Sequence, residues 1–233
     1  MNKIIELNNK KEELEICDVN KLTISLLNDS SLLIKILNLK VCENVKITAK
    51  VGRNSHLKVV FADFSNASYE VNSCVDLNEE GAECEWHLAT LSNNRDNKKF
   101  DISFNHNVGY TKALMDNYGV AKDESKIVFS GINHIKTGAK KSVTSQNAKI
   151  IVFDRNAVGI ASPILKIDEN DVKASHAAIV GQLNSDHMFY LMSRGLSKED
   201  ARQLITLGYL EPISKLFNAE NKEKIKKAIE EAI

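Results

Sequence analysis

The sequence predicts a mainly β chain: a β-solenoid over residues 1–173, followed by a small C-terminal α-helical domain over residues 174–233. Three observations lead there. Strand-like hydrophobic patterning persists to about residue 173 and gives way to a helical period after residue 184. Gly52, Gly81, Gly109 and Gly138 recur at 29, 28 and 29 residues. Each of these glycines opens a unit of two strand-like segments divided by a polar turn.

The strands are read from short β-branched runs bounded by Asn, Asp, Ser and Gly. Leu32–Leu37, Val45–Val51, His56–Phe61, Phe100–Phe104 and Lys149–Phe153 are the clearest, and several alternate with period 2. A constant period of two strands and two turns suits stacked coils, in which like residues form ladders. Glycine would supply the positive φ of a coil corner. Asn105-His106 recurs as Asn133-His134, 28 residues on, as a repeat would have it. A β-sandwich with evenly spaced glycines remains the alternative on these residues alone.

The last 50 residues read as helices. Ser185–Arg194 forms a short one stopped by Gly195. Ser197-Lys198-Glu199-Asp200 has capping-box spacing, and Ala201, Leu204, Ile205 and Tyr209 then share a face. Pro212 suits the first turn of a third helix. That helix breaks near Asn218–Asn221 and resumes with Ile225, Ala228, Ile229 and Ala232 on one side. The alternating charges from Glu220 to Glu231 read as a solvated face.

Composition narrows the function. With 31 basic against 31 acidic residues, the chain has no global electrostatic reason to seek nucleic acid or an anionic membrane. No apolar run is long enough to span a bilayer, and the apolar segment in the opening residues is too short for a signal peptide. Four cysteines, Cys17, Cys42, Cys74 and Cys84, do not make a disulfide scaffold in 233 residues. A soluble, cytoplasmic protein is expected.

Few residues invite chemistry. Cys84-Glu85-Trp86-His87 offers zinc-type ligands, but strand alternation puts Cys84 and His87 on opposite faces, so a buried structural cysteine is expected. Gly138-Ala139-Lys140-Lys141-Ser142 departs from the phosphate-loop pattern, because Ala139 and an extra Lys intervene and no helix follows. His106 and His134 are read as structural members of stacked corners rather than as a ladder of ligands. His176, in Lys173-Ala174-Ser175-His176-Ala177-Ala178, sits among small residues where another backbone could approach, and a neutral imidazole there could bind metal or act as a base. No nucleophile elbow, paired metal-ligand helix or dinucleotide fingerprint is present. A scaffold is expected rather than an enzyme.

The stretch from Ser162 to Leu183, which includes Lys173–Ala178, resembles the SufB/SufD family of iron–sulfur cluster assembly proteins. So do Phe189-Tyr190-Leu191-Met192-Ser193-Arg194-Gly195-Leu196 and Glu199-Asp200-Ala201. The match covers roughly residues 100–213, and the first 100 residues agree in character alone. The resemblance implies a right-handed parallel β-helix with a helical tail. It also implies an ABC-type ATPase partner, SufC, docked on the helical domain, here through Phe189, Tyr190, Leu191, Arg194, Gly195 and Leu196. A SufB-like homologue or a second copy would pair through the last coils.

His176 matches the family histidine placed at that interface and implicated in cluster formation, with Ser175 and Lys173 beside it. The implied cofactor state is none tightly bound, with at most a transient cluster at the dimer interface and His176 as its one candidate metal ligand here. The SufD branch often has a cysteine at the position of Ala174, and the SufB branch a glutamate at that of Ala177. With no cysteine after Cys84, the chain looks more SufD-like than SufB-like. The chain is also short for the family. Two other classes stand as alternatives. One is a structural or polymerising β-solenoid without a metal role. The other is a carbohydrate-active β-helix enzyme, which the scarcity of aromatics disfavours.

Overall fold

Alternating apolar and polar residues separated by tight turns have a simple solution: each strand buries one face and pairs edge to edge with its counterpart in the next coil. The computed structural model describes residues 2–40 and 44–233, so Cys42 lies outside the described residues. The strands are β1 (Asn2–Leu7), β2 (Lys11–Cys17), β3 (Lys21–Leu26), β4 (Ser31–Asn38), β5 (Val45–Val51), β6 (His56–Asp63) and β7 (Tyr69–Leu77). They continue as β8 (Glu83–Ser92), β9 (Asn97–His106), β10 (Lys112–Ala121), β11 (Lys126–Ile135), β12 (Val143–Val152), β13 (Val158–Ile167) and β14 (Lys173–Gln182). Odd-numbered strands form one seven-stranded sheet and even-numbered strands a second, and every pairing is parallel. This is a β-solenoid, and the sandwich alternative is excluded.

In-register stacking makes the core. Ile34, Val59, Trp86 and Met115 follow one another along one interior column. Phe61 stacks on Trp86 at 6.1 Å between ring centroids, and Phe100 meets Phe129 edge-on at 5.6 Å. Both separations suit favourable aromatic pairs.

The four glycines do occupy one corner of successive coils, for two different reasons. Gly81 and Gly138 have φ of +78° and +86°. Gly52 and Gly109 are not left-handed; a Cβ on them would run into the Leu27 and Lys140 carbonyl oxygens of adjacent coils. The period is not constant. It grows from 19 residues (Asn2 to Lys21) to 29 (Asn97 to Lys126) and 32 (Lys126 to Val158).

That drift corrects the histidine pair. Across β9 and β11, His134 lies beside Asn105 and His106 beside Ile135. A 28-residue recurrence on a 29-residue coil slips by one position and so changes face. His106 is buried, with Nδ1 2.7 Å from Thr111 Oγ1, while His134 faces outward to Asp168 at 2.7 Å.

Three helices follow: α1 (Ser185–Ser193), α2 (Lys198–Ser214) and α3 (Ala219–Ala232). The division expected at residue 173 falls inside the fold's last strand, since β14 runs to Gln182. The small residues of β14 blur its alternation in the sequence. Pro212 does not start a helix. It lies in the last turn of α2, where it removes the bond that residue 212 would donate to the Gly208 carbonyl, and buried Leu210 and Ile213 hold the turn in place. The buried side of α2 is Ala201, Thr206, Leu210 and Ile213, and Leu204 is exposed. Ser197 caps α2, accepting from the Asp200 amide at 3.0 Å, as the capping-box spacing predicts.

Helices α2 and α3 lie on the outer face of the even-numbered sheet. They share a second core with Leu37, Val60, Ala62, Ala89, Leu91 and Val120. Polar ties fix both ends of this hairpin. Arg202 reaches Asp154 at 2.7 Å beside β12, and Glu15 on β2 accepts from the Asn218 amide and from Asn221 Nδ2 at the start of α3. Among the described residues, no helix is long and apolar enough to cross a membrane.

Candidate functional site

The site is the open end of the solenoid. β13 and β14 are the last strands of their sheets, so each is paired along one edge and offers a row of backbone donors and acceptors along the other. Edge strands are usually blunted by charge or proline pointing outward. Here the outward positions of β13 are Val158, Ile160, Ser162, Ile164 and Lys166, so one charge stands among three exposed aliphatic residues, and Pro163 points inward. Ile167 is also exposed, and β14 adds Ile179, at 58 % exposure, and Val180. Exposed aliphatic side chains on strands with a free edge mark a surface for another chain.

His176 stands at the end of the interior column, one strand beyond Gln146, which itself follows Met115. Inside the solenoid that column is buried, but at the last coil His176 is exposed. Lys173 and Ser175 lie on the same strand, beside Val143 and Ser145, and Ala174 and Ala177 leave the backbone on either side of His176 uncluttered.

The second cluster is α1 and the turn after it. Asn184 caps α1, accepting from the amides of Asp186 at 2.8 Å and His187 at 3.2 Å. Gly195, at φ +94°, lets the chain turn away. The helix buries none of its residues, so Phe189 (76 % exposed), Tyr190 (57 %) and Met192 face outward. Arg194 lies over the Tyr190 ring at 5.2 Å, and Leu191 and Leu196 are half-buried. Two residues, Leu183 and Asn184, separate α1 from β14. Thus the expected docking residues sit together, immediately downstream of the His176 strand.

The described cysteines lie elsewhere. Cys84 is buried and burial pushes its thiol up; Cys74 is half-buried and accepts from Asn105 Nδ2 at 3.5 Å. Cys17 is exposed, with its thiol also raised, first by partial burial and then by Asp18. Among the described residues, no group of three or more His, Cys, Asp and Glu is placed to hold a metal ion. His176 offers one nitrogen donor at this end.

A family model described as "SUF system FeS cluster assembly, SufBD core domain" matches residues 23–209, including the early coils that carry no recognisable motif. The chain belongs to the SufBD family. It is 30 % identical over 162 residues to the iron–sulfur cluster assembly protein SufD of Bacillus subtilis, covering 70 % of this chain and 37 % of that one. An iron–sulfur cluster assembly SufBD family protein of Staphylococcus saprophyticus is 28 % identical over 110 residues, and one of Staphylococcus haemolyticus 26 %. Each Staphylococcus match covers 47 % of this chain and 24 % of the relative. The matched segments therefore cover well under half the length of these SufBD relatives, and the chain itself is about half as long as they are.

Two features escaped the sequence reading of this SufBD chain. The exposed aliphatic residues had a visible signal: β13 carries Val158, Ile160 and Ile164 on the face opposite its inward set, which a one-faced strand does not need. The outward half of the Cys84–His87 segment joins a polar network. Lys58 Nζ donates to Glu85 at 2.7 Å, His56 and His87 approach the same carboxylate at 3.2 and 3.3 Å, and His87 also faces Asp116 at 3.6 Å. Its members come from three coils, and period-2 reading of one strand cannot assemble them.

Proposed function

We propose that this chain is a non-enzymatic, SufD-like partner subunit of the cytoplasmic Suf iron–sulfur assembly machinery. It pairs through β13 and β14 with a SufB-like homologue or with a second copy, and it docks a SufC-type ABC ATPase through α1 and the turn at Gly195. The observation that carries this reading is the open coil end, where two strands with one free edge each, exposed aliphatic side chains and His176 coincide. Adding a partner's strand to such an edge satisfies the backbone groups and buries the aliphatic side chains.

In this reading the nascent cluster is cargo. His176 supplies one imidazole to it, and the thiolates come from the partner, because this chain has no cysteine beyond Cys84. The ATPase acts by force. Since α2 and α3 are fixed to the even-numbered sheet, a pull on α1 passes through Leu183 and Asn184 to the edge strand β14. ATP-driven association of two ATPase subunits would then open the paired interface around His176.

The ATPase half of the proposal is tested with Phe189→Lys/Tyr190→Lys. Truncation before α1 is unsuitable, because it would uncover the second core along with the docking residues. The double variant should keep its unfolding midpoint and lose co-purification with a SufC-type ATPase; retained co-purification would refute docking through α1. His176→Ala should leave the assembly intact and impair cluster maturation, and normal maturation would remove His176 from the account.

A further inference from the structure

The solenoid interior changes character along its axis. Through β9 the interior columns are mostly aliphatic and aromatic, whereas β10 to β12 place Asn117, Asn133, Thr144 and Gln146 inside, all essentially buried. Two of their contacts are internal. Asn133 Nδ2 donates to Thr144 Oγ1 at 2.5 Å, and Gln146 Nε2 donates to the Ile164 carbonyl at 2.8 Å. The second bond fixes which end of the Gln146 amide is which. Its carbonyl oxygen, Oε1, has no partner among the protein groups, and neither has Asn117 Oδ1.

Both residues line the same small void, with Met115, Phe129, Gly131 and Pro163 around them. Gly131 makes the space, since a Cβ there would collide with Gln146 Oε1. The void measures about 10 Å³, at the lower end of the roughly 10–15 Å³ that one water needs. A buried acceptor without a donor destabilises the fold, so this pair calls for a donor small enough to enter. A water carries two hydrogens for two oxygens. A metal cation would need more oxygen ligands than the two on offer.

We propose that a single structural water occupies this void and donates to both Asn117 Oδ1 and Gln146 Oε1. It sits one strand behind His176, because Gln146 is the neighbour of His176 across β12 and β14. Through the Gln146–Ile164 bond it also ties the even-numbered sheet to β13. The water therefore braces the edge strand β13 from within.

A high-resolution crystal structure of the full chain tests this directly. A spherical density peak within hydrogen-bonding distance of both oxygens is expected; an empty void overturns the proposal. A thermal double-mutant cycle of Asn117→Leu and Gln146→Met gives an independent reading. The cycle cancels the loss of the Ile164 bond, which only Gln146→Met suffers. With the water present, Asn117→Leu lowers the midpoint, and the double variant falls by less than the two single shifts together. Strict additivity, or a raised midpoint in Asn117→Leu, would mean a dry void and would overturn it.

Discussion

Lys98 Nζ lies 2.8 Å from Asp63 Oδ2 inside the solenoid, with neither side chain exposed. The ammonium also donates to the carbonyls of Ser65 at 2.6 Å and Leu91 at 2.8 Å, so its three donors are used. Asp63 in turn accepts from Ser65 Oγ and Thr90 Oγ1, each at 2.8 Å. Burial, and then Asp63, holds the nearby Tyr69 hydroxyl well above its ordinary range. A charge pair this deep is tolerable because each partner is fully hydrogen-bonded.

Lys98→Met should therefore cost about 3–5 kcal/mol in urea unfolding, since it strands the Asp63 carboxylate. Lys98→Met combined with Asp63→Leu should recover most of that loss. A single variant with an unchanged midpoint would show that the pair is not what holds this corner.

Glu85 gives a prediction about acid. Burial raises its carboxyl, but hydrogen bonds from Lys58 and His87, with the charges of Lys58 and His56, outweigh that and hold it at about 2. A depressed carboxyl stabilises the fold above its unfolded value of about 4.3 and loses that contribution as pH falls toward 2. Partial solvent exposure keeps the effect small. A carbon-detected titration should place Glu85 near 2, and Lys58→Met should move it upward; an ordinary midpoint in the wild type would contradict the network.

His106 acts in the next pH window up. Burial lowers its pKa to about 4. Between about 6.5 and 4 the unfolded chain takes up the proton first, so stability falls as pH drops through that range and levels off below it. Denaturant midpoints measured from neutral pH down to the window's lower end should fall less steeply in His106→Gln than in the wild type. Equal slopes would show that His106 does not carry the dependence.

Asn218 caps α3, accepting from the Asn221 amide at 2.8 Å, while Glu15 accepts from the Asn218 amide itself. Asn218→Ala should cost about 1 kcal/mol and speed amide exchange in the first turn of α3. Exchange unchanged there would mean that the second core alone holds the helix.

The solenoid was legible because its turns are written in glycine and its strands in alternation, and both signals are local. The family was legible from Lys173–Ala178 and Phe189–Leu196, yet those residues do not mark the strand boundary. β14 is mostly small or aliphatic, and its exposure at an open end is a property of its place in the stack. His106 and His134 show a different limit: their 28-residue recurrence is real, but drift in coil length decides their faces. Lys98 carries no local sign that it is buried, since its partners lie 35 and 7 residues away in sequence, at Asp63 and Leu91.

The central claim is that β13 and β14 form a pairing edge. It is tested by light scattering after size-exclusion of the chain, alone and mixed with a SufB-like homologue, for the wild type and for Ile164→Lys/Ile179→Lys. Both substitutions lie at exposed positions and should leave the unfolding midpoint unchanged. The account predicts that the wild type forms a dimer with the homologue or with itself, and that the double variant remains a folded monomer in both conditions. A double variant that assembles as the wild type does, or a wild type that stays monomeric in both, would contradict it.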